Sequence, residues 1–349
     1  MQIRDYFRFA GATGGALLAI ALHAQPFTFL ASGYHQELVV SSPGSTSVAG
    51  VTLGKDGFLY TNDAGGSAIQ KWNPGSTTAV HGANLYSHVL TGSGAQGANW
   101  GLTIDSAGNL FSLGSAGLYQ IDRTTLAGTL VGPGGIYGLA YNKATDSFVS
   151  TNGSAVIETK KDGSTRTIFS YGSFIDQVAI DPTTNFVAGA ILGSSQVGVW
   201  NFSSGALINT FTLGGHSADG LAFDKDGNIY TNNTDGTITA LRFGAGGYAA
   251  GSTGLDLIAS GGFYGDLAGV GVDGAFYVSQ YGTRYPDAFV DSGSASIVRI
   301  TFDGGGFVDG GTGGSDNGGD GAVPEPSTYG LLAAATLLGA LAIRRRLRR

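Results

Sequence analysis

Apolar positions alternate with small or polar ones in short runs, and the runs return along the chain in a fixed order. Six segments open each return: Gly50-Val51-Thr52-Leu53, Gly101-Leu102-Thr103-Ile104-Asp105, Gly138-Leu139-Ala140-Tyr141-Asn142, Gln177-Val178-Ala179-Ile180-Asp181, Gly220-Leu221-Ala222-Phe223-Asp224 and Asp266-Leu267-Ala268-Gly269-Val270. Short apolar runs bounded by turn residues predict strands. A polar turn and a second strand follow each opening, as at 55–60, 106–111 and 225–230. A third strand is expected at 68–73, 117–122, 155–160, 196–201, 237–243 and 296–303.

Val51, Leu102, Leu139, Val178, Leu221 and Leu267 are separated by 51, 37, 39, 43 and 46 residues. Such periods suit four-stranded propeller blades, each of which buries its faces against its neighbours. The sixth repeat has no fourth strand of its own, because glycines follow Asp303 at once. The run Gln36-Glu37-Leu38-Val39-Val40 has no other obvious partner and is expected to complete that blade, removing two open sheet edges. The predicted fold is an all-β, six-bladed β-propeller over residues 25–303. Seven blades stay open if the connection 73–98 hides a further pair of strands. Asp224-Lys225-Asp226-Gly227-Asn228 has the look of a calcium loop but lacks its later ligands, and is read as a hairpin turn with Gly at positive φ. The consensus Gly-Leu-Ala-aromatic-Asp-x-x-Gly-Asn-aliphatic-aromatic resembles the NHL-repeat, gluconolactonase and streptogramin-lyase propellers.

Composition narrows the partners. Sixty-one glycines come with 19 Phe, 15 Tyr and 3 Trp, which is the pattern of short strands and tight turns rather than of a disordered chain. The chain has no cysteine, so core burial and not disulfides must stabilise it. Setting aside Arg4, Arg8, Asp5, Glu325 and the five terminal arginines, residues 25–322 carry 11 Lys+Arg against 23 Asp+Glu, a net charge of −12. That excludes nucleic acid as the natural partner, since phosphate binding needs clustered positive charge. Cations and neutral glycans fit better.

The two ends read as targeting segments. Residues 1–24 have a positive start and a 13-residue apolar core, Ala10–Leu22, with signal cleavage expected between Ala24 and Gln25. Residues 304–322 are a glycine-rich linker by composition. Then come Val323-Pro324-Glu325-Pro326-Ser327-Thr328, an apolar run over 329–343 and the arginine tail 344–349. The apolar run has 15 residues, short for a helix that needs about 20 to span a bilayer. Arginines beyond it act as a cytoplasmic stop. This three-part arrangement resembles the PEP-CTERM sorting signal of Gram-negative bacteria. The resemblance implies transient inner-membrane anchoring through a C-terminal sorting helix, processing by an exosortase, and delivery to the cell surface or extracellular matrix of a host that makes exopolysaccharide.

Residues just before the innermost strands should face one mouth of the central channel: Ala49, Trp100, Tyr137, Asp176, Asp219 and Gly265-Asp266. An aromatic side formed by Trp100 and Tyr137 and an acidic side formed by Asp176, Asp219 and Asp266 could hold a sugar ring, stacking on its C–H face and accepting from its hydroxyls. The same three carboxylates could instead ligate Ca or Mg, or the mouth residues could bond neighbouring amides and plug the channel. Asn62-Asp63, Asn152, Asn232-Asn233 and Gln280-Tyr281 form a second ring that could add oxygen ligands or serve turns. Resemblance to the lactonases and lyases implies a metal-binding or acid/base Glu, helped by His in the lyases. Only Glu37 and Glu158 precede the sorting segment in the mature chain, both on expected outer strands. Of the histidines His35, His81, His88 and His216, only His216 lies near the mouth. No Ser-His-Asp elbow or zinc spacing is present. The expected role is therefore non-catalytic binding of exopolysaccharide or an envelope protein; a metal-dependent lactonase or lyase and a self-associating surface protein are the alternatives.

Overall fold

The structure, a computed structural model, describes residues 27–43, 48–63, 68–75, 81–84, 100–114, 116–284 and 294–308. The expected signal peptide, most of the linker and the sorting segment lie outside the described residues, as do His88 and the side chains of Asp63, His81 and Tyr281.

Strands β1 (Thr28–Phe29) and β2 (Tyr34–Pro43) precede a four-stranded antiparallel sheet of β3 (Val48–Leu53), β4 (Leu59–Asp63), β5 (Ala68–Trp72) and β6 (His81–Asn84). A second such sheet holds β7 (Leu102–Ile104), β8 (Leu110–Gly114), β9 (Gly117–Ile121) and β10 (Gly128–Gly132). Next come β11 (Tyr137–Asn142), β12 (Ser147–Thr151), β13 (Gly153–Lys160), β14 (Thr165–Ile180), β15 (Phe186–Ile191), β16 (Gln196–Asn201) and β17 (Leu207–Thr212), joined in one seven-stranded sheet. The 16-residue β14 explains that count. Its first part pairs with β13, and its last part pairs with β15, so one strand ends one unit and begins the next.

β18 (Ala218–Asp224), β19 (Ile229–Asn233), β20 (Ile238–Arg242) and β21 (Gly254–Ser260) form the fifth unit, with a 3-10 turn at Tyr248–Ala250. Strand β1 extends it beyond β21. The last unit contains β22 (Phe263–Val270), β23 (Phe276–Arg284) and β24 (Ser294–Phe302), and its outer strand is β2, in register from Tyr34↔Phe302 to Pro43↔Ser294. The N-terminal run thus pairs where its lack of another partner pointed. A final strand, β25 (Phe307–Val308), pairs with the end of β18. The expected linker start at 304 is therefore too early. Phe307 is 1% exposed, its N–H donates to the Gly274 carbonyl, and its ring packs on Tyr230 and Phe276. One apolar side chain inside a glycine run was enough to continue the fold. Within 73–98, β6 supplies the fourth strand of its sheet, and it is the one strand among the described residues there.

The first strands of the repeats adjoin one another in order: β3 beside β7, then β11, β14, β18 and β22, with β22 beside β3 again. Apolar side chains fill the spaces between successive units. Phe111, Phe148 and Tyr141 form one such core, and Ile175, Trp200 and Val149 another. Strands with a unit on either side are buried on both faces, which is why β3, β8, β12 and β18 are buried at every described position, whereas β17 and β21 expose leucines.

The glycine that opens most repeats has a packing cause. A Cβ on Gly101 would stand 2.6 Å from Leu139 Cβ and 3.0 Å from the Leu139 nitrogen, against the backbone of the next first strand. Gly101→Ala is expected to lower stability by about 1–3 kcal/mol, as overpacking does. Urea unfolding checks it.

Polar side chains on second strands latch neighbouring units. Asn62 Nδ2 donates to the Gly101 carbonyl (3.4 Å) and to Ser112 Oγ (2.9 Å). Thr151 Oγ1 donates to Ile175 O, Asn232 Nδ2 to Asp266 O and Ser279 O, and Ser279 Oγ to Ala49 O. Asn62, Asn232 and Asn233 are fully buried, with Asn233 Nδ2 donating to Thr237 and Thr239. Gln280 is buried as well, its Oε1 accepting from the Phe263 N–H. Asn152 caps an exposed turn through the Ala155 N–H. Asn62, Asn232, Asn233 and Gln280 of the second ring therefore hold the fold together, buried away from any mouth.

Candidate functional site

Each first strand begins at the same end of the molecule, so the residue before each one is carried to a common mouth. Trp100 packs on Ala49 and Leu267, which come from β3 and β22. Its ring centroid lies 6.0 Å from that of Tyr137, and Tyr137 stands edge-on to Phe174 at 4.9 Å. Phe174 is 38% exposed and Ile136 is 40% exposed, so the three rings and one aliphatic side chain make an apolar row open to solvent. Trp100 and Tyr137 were singled out from the repeat alignment. Phe174 and Ile136 were not, although Phe174 sits two residues before Asp176 and its exposure on a strand was the available signal.

Opposite this row the three aspartates gather on β14, β18 and β22, all buried. The Asp176 and Asp219 carboxyls face each other within hydrogen-bond reach, which lowers Asp176 and raises Asp219. Burial raises the Asp176 carboxyl above the usual range, and the bond from Asp219 opposes this. Burial, the charge of Asp176, the shared bond and the charge of Asp266 push Asp219 well above it. Burial and the charge of Asp176 lift Asp266 to about 8, against the pull of the Leu267 N–H on its Oδ1. Asp219 Oδ1 and Asp266 Oδ2 have no hydrogen-bond partner among the described residues. Burial with little nearby compensation thus favours the protonated form of Asp219 and Asp266 beside the Asp176 carboxylate.

The residues do not fit the Ca or Mg alternative. Among the described residues no group of three His, Cys, Asp or Glu is disposed to hold a metal ion. Asp176 and Asp219 are turned to each other, and Asp266 Oδ1 is taken by its neighbour's amide.

Below the aspartates a residue that sequence reasoning passed over blocks the channel. Gln177 stands where four of the other repeats have glycine and the sixth has Asp266. Its Oε1 accepts from the N–H of Leu221 (3.0 Å) and of Ala268 (2.9 Å), and its Nε2 donates to the Ala268 carbonyl. One amide thereby spans from β14 to β18 and β22. The cavity left around it is only about 10 Å³ and is lined mainly by apolar side chains, including Val51, Leu102, Leu139 and Leu221. The channel is thus plugged by Gln177, and what remains accessible is the shallow mouth above it.

The expected helpers lie elsewhere. His216 Nδ1 is 2.6 Å from Asp235 Oδ2 and 3.2 Å from Thr237 Oγ1, so its ring is held by that loop and does not reach the aspartates. Glu158 accepts from Ser147 and Arg166 on an outer strand, Arg299 lies 3.8 Å from Glu37, and His35 pairs with Asp303 at an exposed edge. The Asp224 turn is a hairpin: Asp224 Oδ1 accepts from the N–H of Asp226 and of Asn228, and Gly227 has φ 80°.

The comparisons with known proteins agree with this architecture. Residues 322–346 match the PEP-CTERM protein-sorting motif. No curated protein matches the chain. Among solved structures, a glucose dehydrogenase-like oxidoreductase from Thermus thermophilus superposes with a TM-score of 0.58 at 14% identity, over 77% of this chain and 100% of that one. A catalytically inactive virginiamycin B lyase from Staphylococcus aureus, with quinupristin, gives 0.53 at 15% over 77% and 99%. The PQQ-bound aldose sugar dehydrogenase of Streptomyces coelicolor gives 0.53 at 12% over 77% and 98%. At these identities the likeness is one of fold. The chain is an all-β protein of β-propeller type carrying a C-terminal PEP-CTERM sorting motif, which indicates export across the inner membrane, exosortase processing and surface-associated sorting. Among the described residues no helix is long and apolar enough to cross a membrane, and the expected sorting helix over 329–343 lies outside them.

Proposed function

We propose that this chain is a six-bladed propeller of a Gram-negative cell surface or extracellular matrix, which binds a neutral polysaccharide chain at its mouth without transforming it. The cyclic order of first strands supports six blades, with β14 shared between two of them. The observation that carries the binding reading is the solvent-open row Trp100–Tyr137–Phe174 beside a carboxyl wall. Aromatic faces take the C–H side of a sugar ring, and carboxyls at the edge accept or donate to its hydroxyls. The glutamates lie away from this mouth and His216 is engaged, so a general base in reach of a bound sugar is not provided by those residues.

Trp72 and Trp200 are each 2% exposed, so Trp100 is the indole that a ligand at the mouth perturbs. Titrating the mature protein with oligosaccharides from its host's exopolysaccharide should change tryptophan emission saturably. Trp100→Ala removes the reporter, so the variants are compared by calorimetry. Trp100→Ala and Tyr137→Ala should each weaken binding by about tenfold, or about 1.4 kcal/mol. Unchanged affinity in both variants would overturn the site, and release of a shortened or dehydrated sugar would overturn the non-catalytic reading.

A further inference from the structure

The rings of the mouth are each held from behind, so their mutual angles belong to the fold and not to a ligand. Trp100 rests on Ala49 and Leu267. Tyr137 pairs with Thr151 of β12, and the N–H of Ile136 beside it donates to Thr151 O (2.7 Å). The Phe174 backbone is tied down by Leu192, whose N–H donates to the Phe174 carbonyl (3.0 Å). Its ring lies over Gly153 at the start of β13, where an added Cβ would stand 3.0 Å from Phe174 Cε2. A side chain at 153 would push the ring off its seat. Aromatic side chains supported in this way lose little freedom when a ligand arrives.

Those angles are large. Trp100 and Tyr137 are inclined at 42° with centroids 6.0 Å apart, and Tyr137 and Phe174 at 68° with centroids 4.9 Å apart. Both intervals are close to the step between neighbouring pyranose rings, so the row offers one aromatic ring to each of three consecutive sugars. A flat two-fold ribbon presents its successive sugar faces in one plane and meets one of these rings only by lifting off the next. A gap of about 0.5–1 Å already forfeits a quarter to a half of a contact's attraction. A chain whose linkages turn each sugar relative to the last meets all three rings. With C–H faces on the rings, only hydroxyls projecting from the sugar's rim reach the carboxyls opposite, of which Asp176 is the least buried. Equatorial hydroxyls around a ring with C–H on both faces, the gluco configuration, have that disposition.

We propose that the mouth selects a turning glucan chain over a flat ribbon of the same sugar, across three consecutive residues, and that Phe174 is the residue that sets this choice. The selection rests on the reading of the mouth as a polysaccharide site. Phe174 decides it because it makes the steeper of the two inclinations and is the most exposed of the three rings. Without it Trp100 and Tyr137 offer two sugars a milder turn, which discriminates less.

Calorimetry of the mature protein with laminaripentaose, maltopentaose and cellopentaose tests the selection, because all three are glucose pentamers that differ only in linkage. The first two turn along their length and the third is a flat ribbon. At least one turning pentamer should bind about tenfold more tightly than cellopentaose, the worth of one further aromatic contact. Phe174→Ala should weaken that pentamer about tenfold and leave cellopentaose within about twofold. Phe174→Leu keeps apolar bulk without a ring plane and should lose the preference as well, with circular dichroism showing the parent's fold in both variants. Cellopentaose bound as tightly as the turning pentamers, or a preference that survives both substitutions, would overturn the proposal and leave the mouth a sugar site. Binding of none of the three pentamers would also overturn it. The host's exopolysaccharide then separates the two failures: if it binds at the mouth the polysaccharide reading stands, and if it does not that reading falls too.

Discussion

Gln177→Ala should destabilise the protein by about 3 kcal/mol, the largest loss expected from any single side chain at the axis. The change strips the partners from two buried N–H groups, those of Leu221 and Ala268, and from the Ala268 carbonyl. Each unsatisfied group costs about 1–3 kcal/mol, and water entering the channel offsets part of it. Gln177→Glu keeps the acceptor for both amides but loses the donor and places an acid in an apolar channel, so it should fall between the parent and the alanine variant at pH 5. At pH 8 it should approach alanine. Urea unfolding monitored by far-UV circular dichroism checks both. A loss below about 0.5 kcal/mol for alanine, the level of a neutral surface change, would mean that Gln177 plugs nothing.

Stability should also decline as pH rises from about 4 to about 8, because of the acidic trio. The sign follows from linkage: a group whose folded pKa exceeds its unfolded value stabilises fully below the unfolded pKa and loses that contribution as pH rises through the folded one. Asp266 has an ordinary value of 3.8 and a folded value of about 8, and Asp176 and Asp219 shift in the same direction. Within the window Asp266 changes the unfolding free energy by up to about 1.4 kcal/mol per pH unit, and Asp219 adds in the same sense. Asp105 and Asp181 act oppositely. Burial raises both, but hydrogen bonds outweigh it, from Asn109 and Lys161 at Asp105 and from Thr184, Tyr248 and Thr183 at Asp181. Their contribution is lost as pH falls below about 4. A maximum near pH 4–5 results. Asp266→Asn keeps an acceptor for Leu267 and removes one titration, so it should match the parent near pH 4 and become the more stable of the two towards pH 8. A parent whose stability rises over this window would refute protonated Asp219 and Asp266.

The repeat was readable because its landmarks have local causes. Gly101 is needed for close approach of the next strand, Asp105 and Asp224 bond their own turns through Asn109 and Asn228, and buried strands show as apolar runs. First, second and third strands consequently fall where spacing put them. Fourth strands carry weaker signals, being half exposed, as in Gly128–Gly132. The mouth was half readable. Trp100, Tyr137 and the three aspartates come together as their common position in the repeat implied, but pairing, not position, decides whether carboxylates gather as ligands. Gln177 was visible as the residue breaking a glycine column. Its role depends on amides 44 and 91 residues away, which no local pattern encodes.

The most direct test is hydrogen–deuterium exchange of the mature protein with and without its host's exopolysaccharide. Binding at the mouth predicts slower exchange confined to peptides covering 100–102, 134–138 and 172–178. Protection on the outer strands 207–212 and 254–260 instead, or none at saturating polymer, would contradict a mouth that binds.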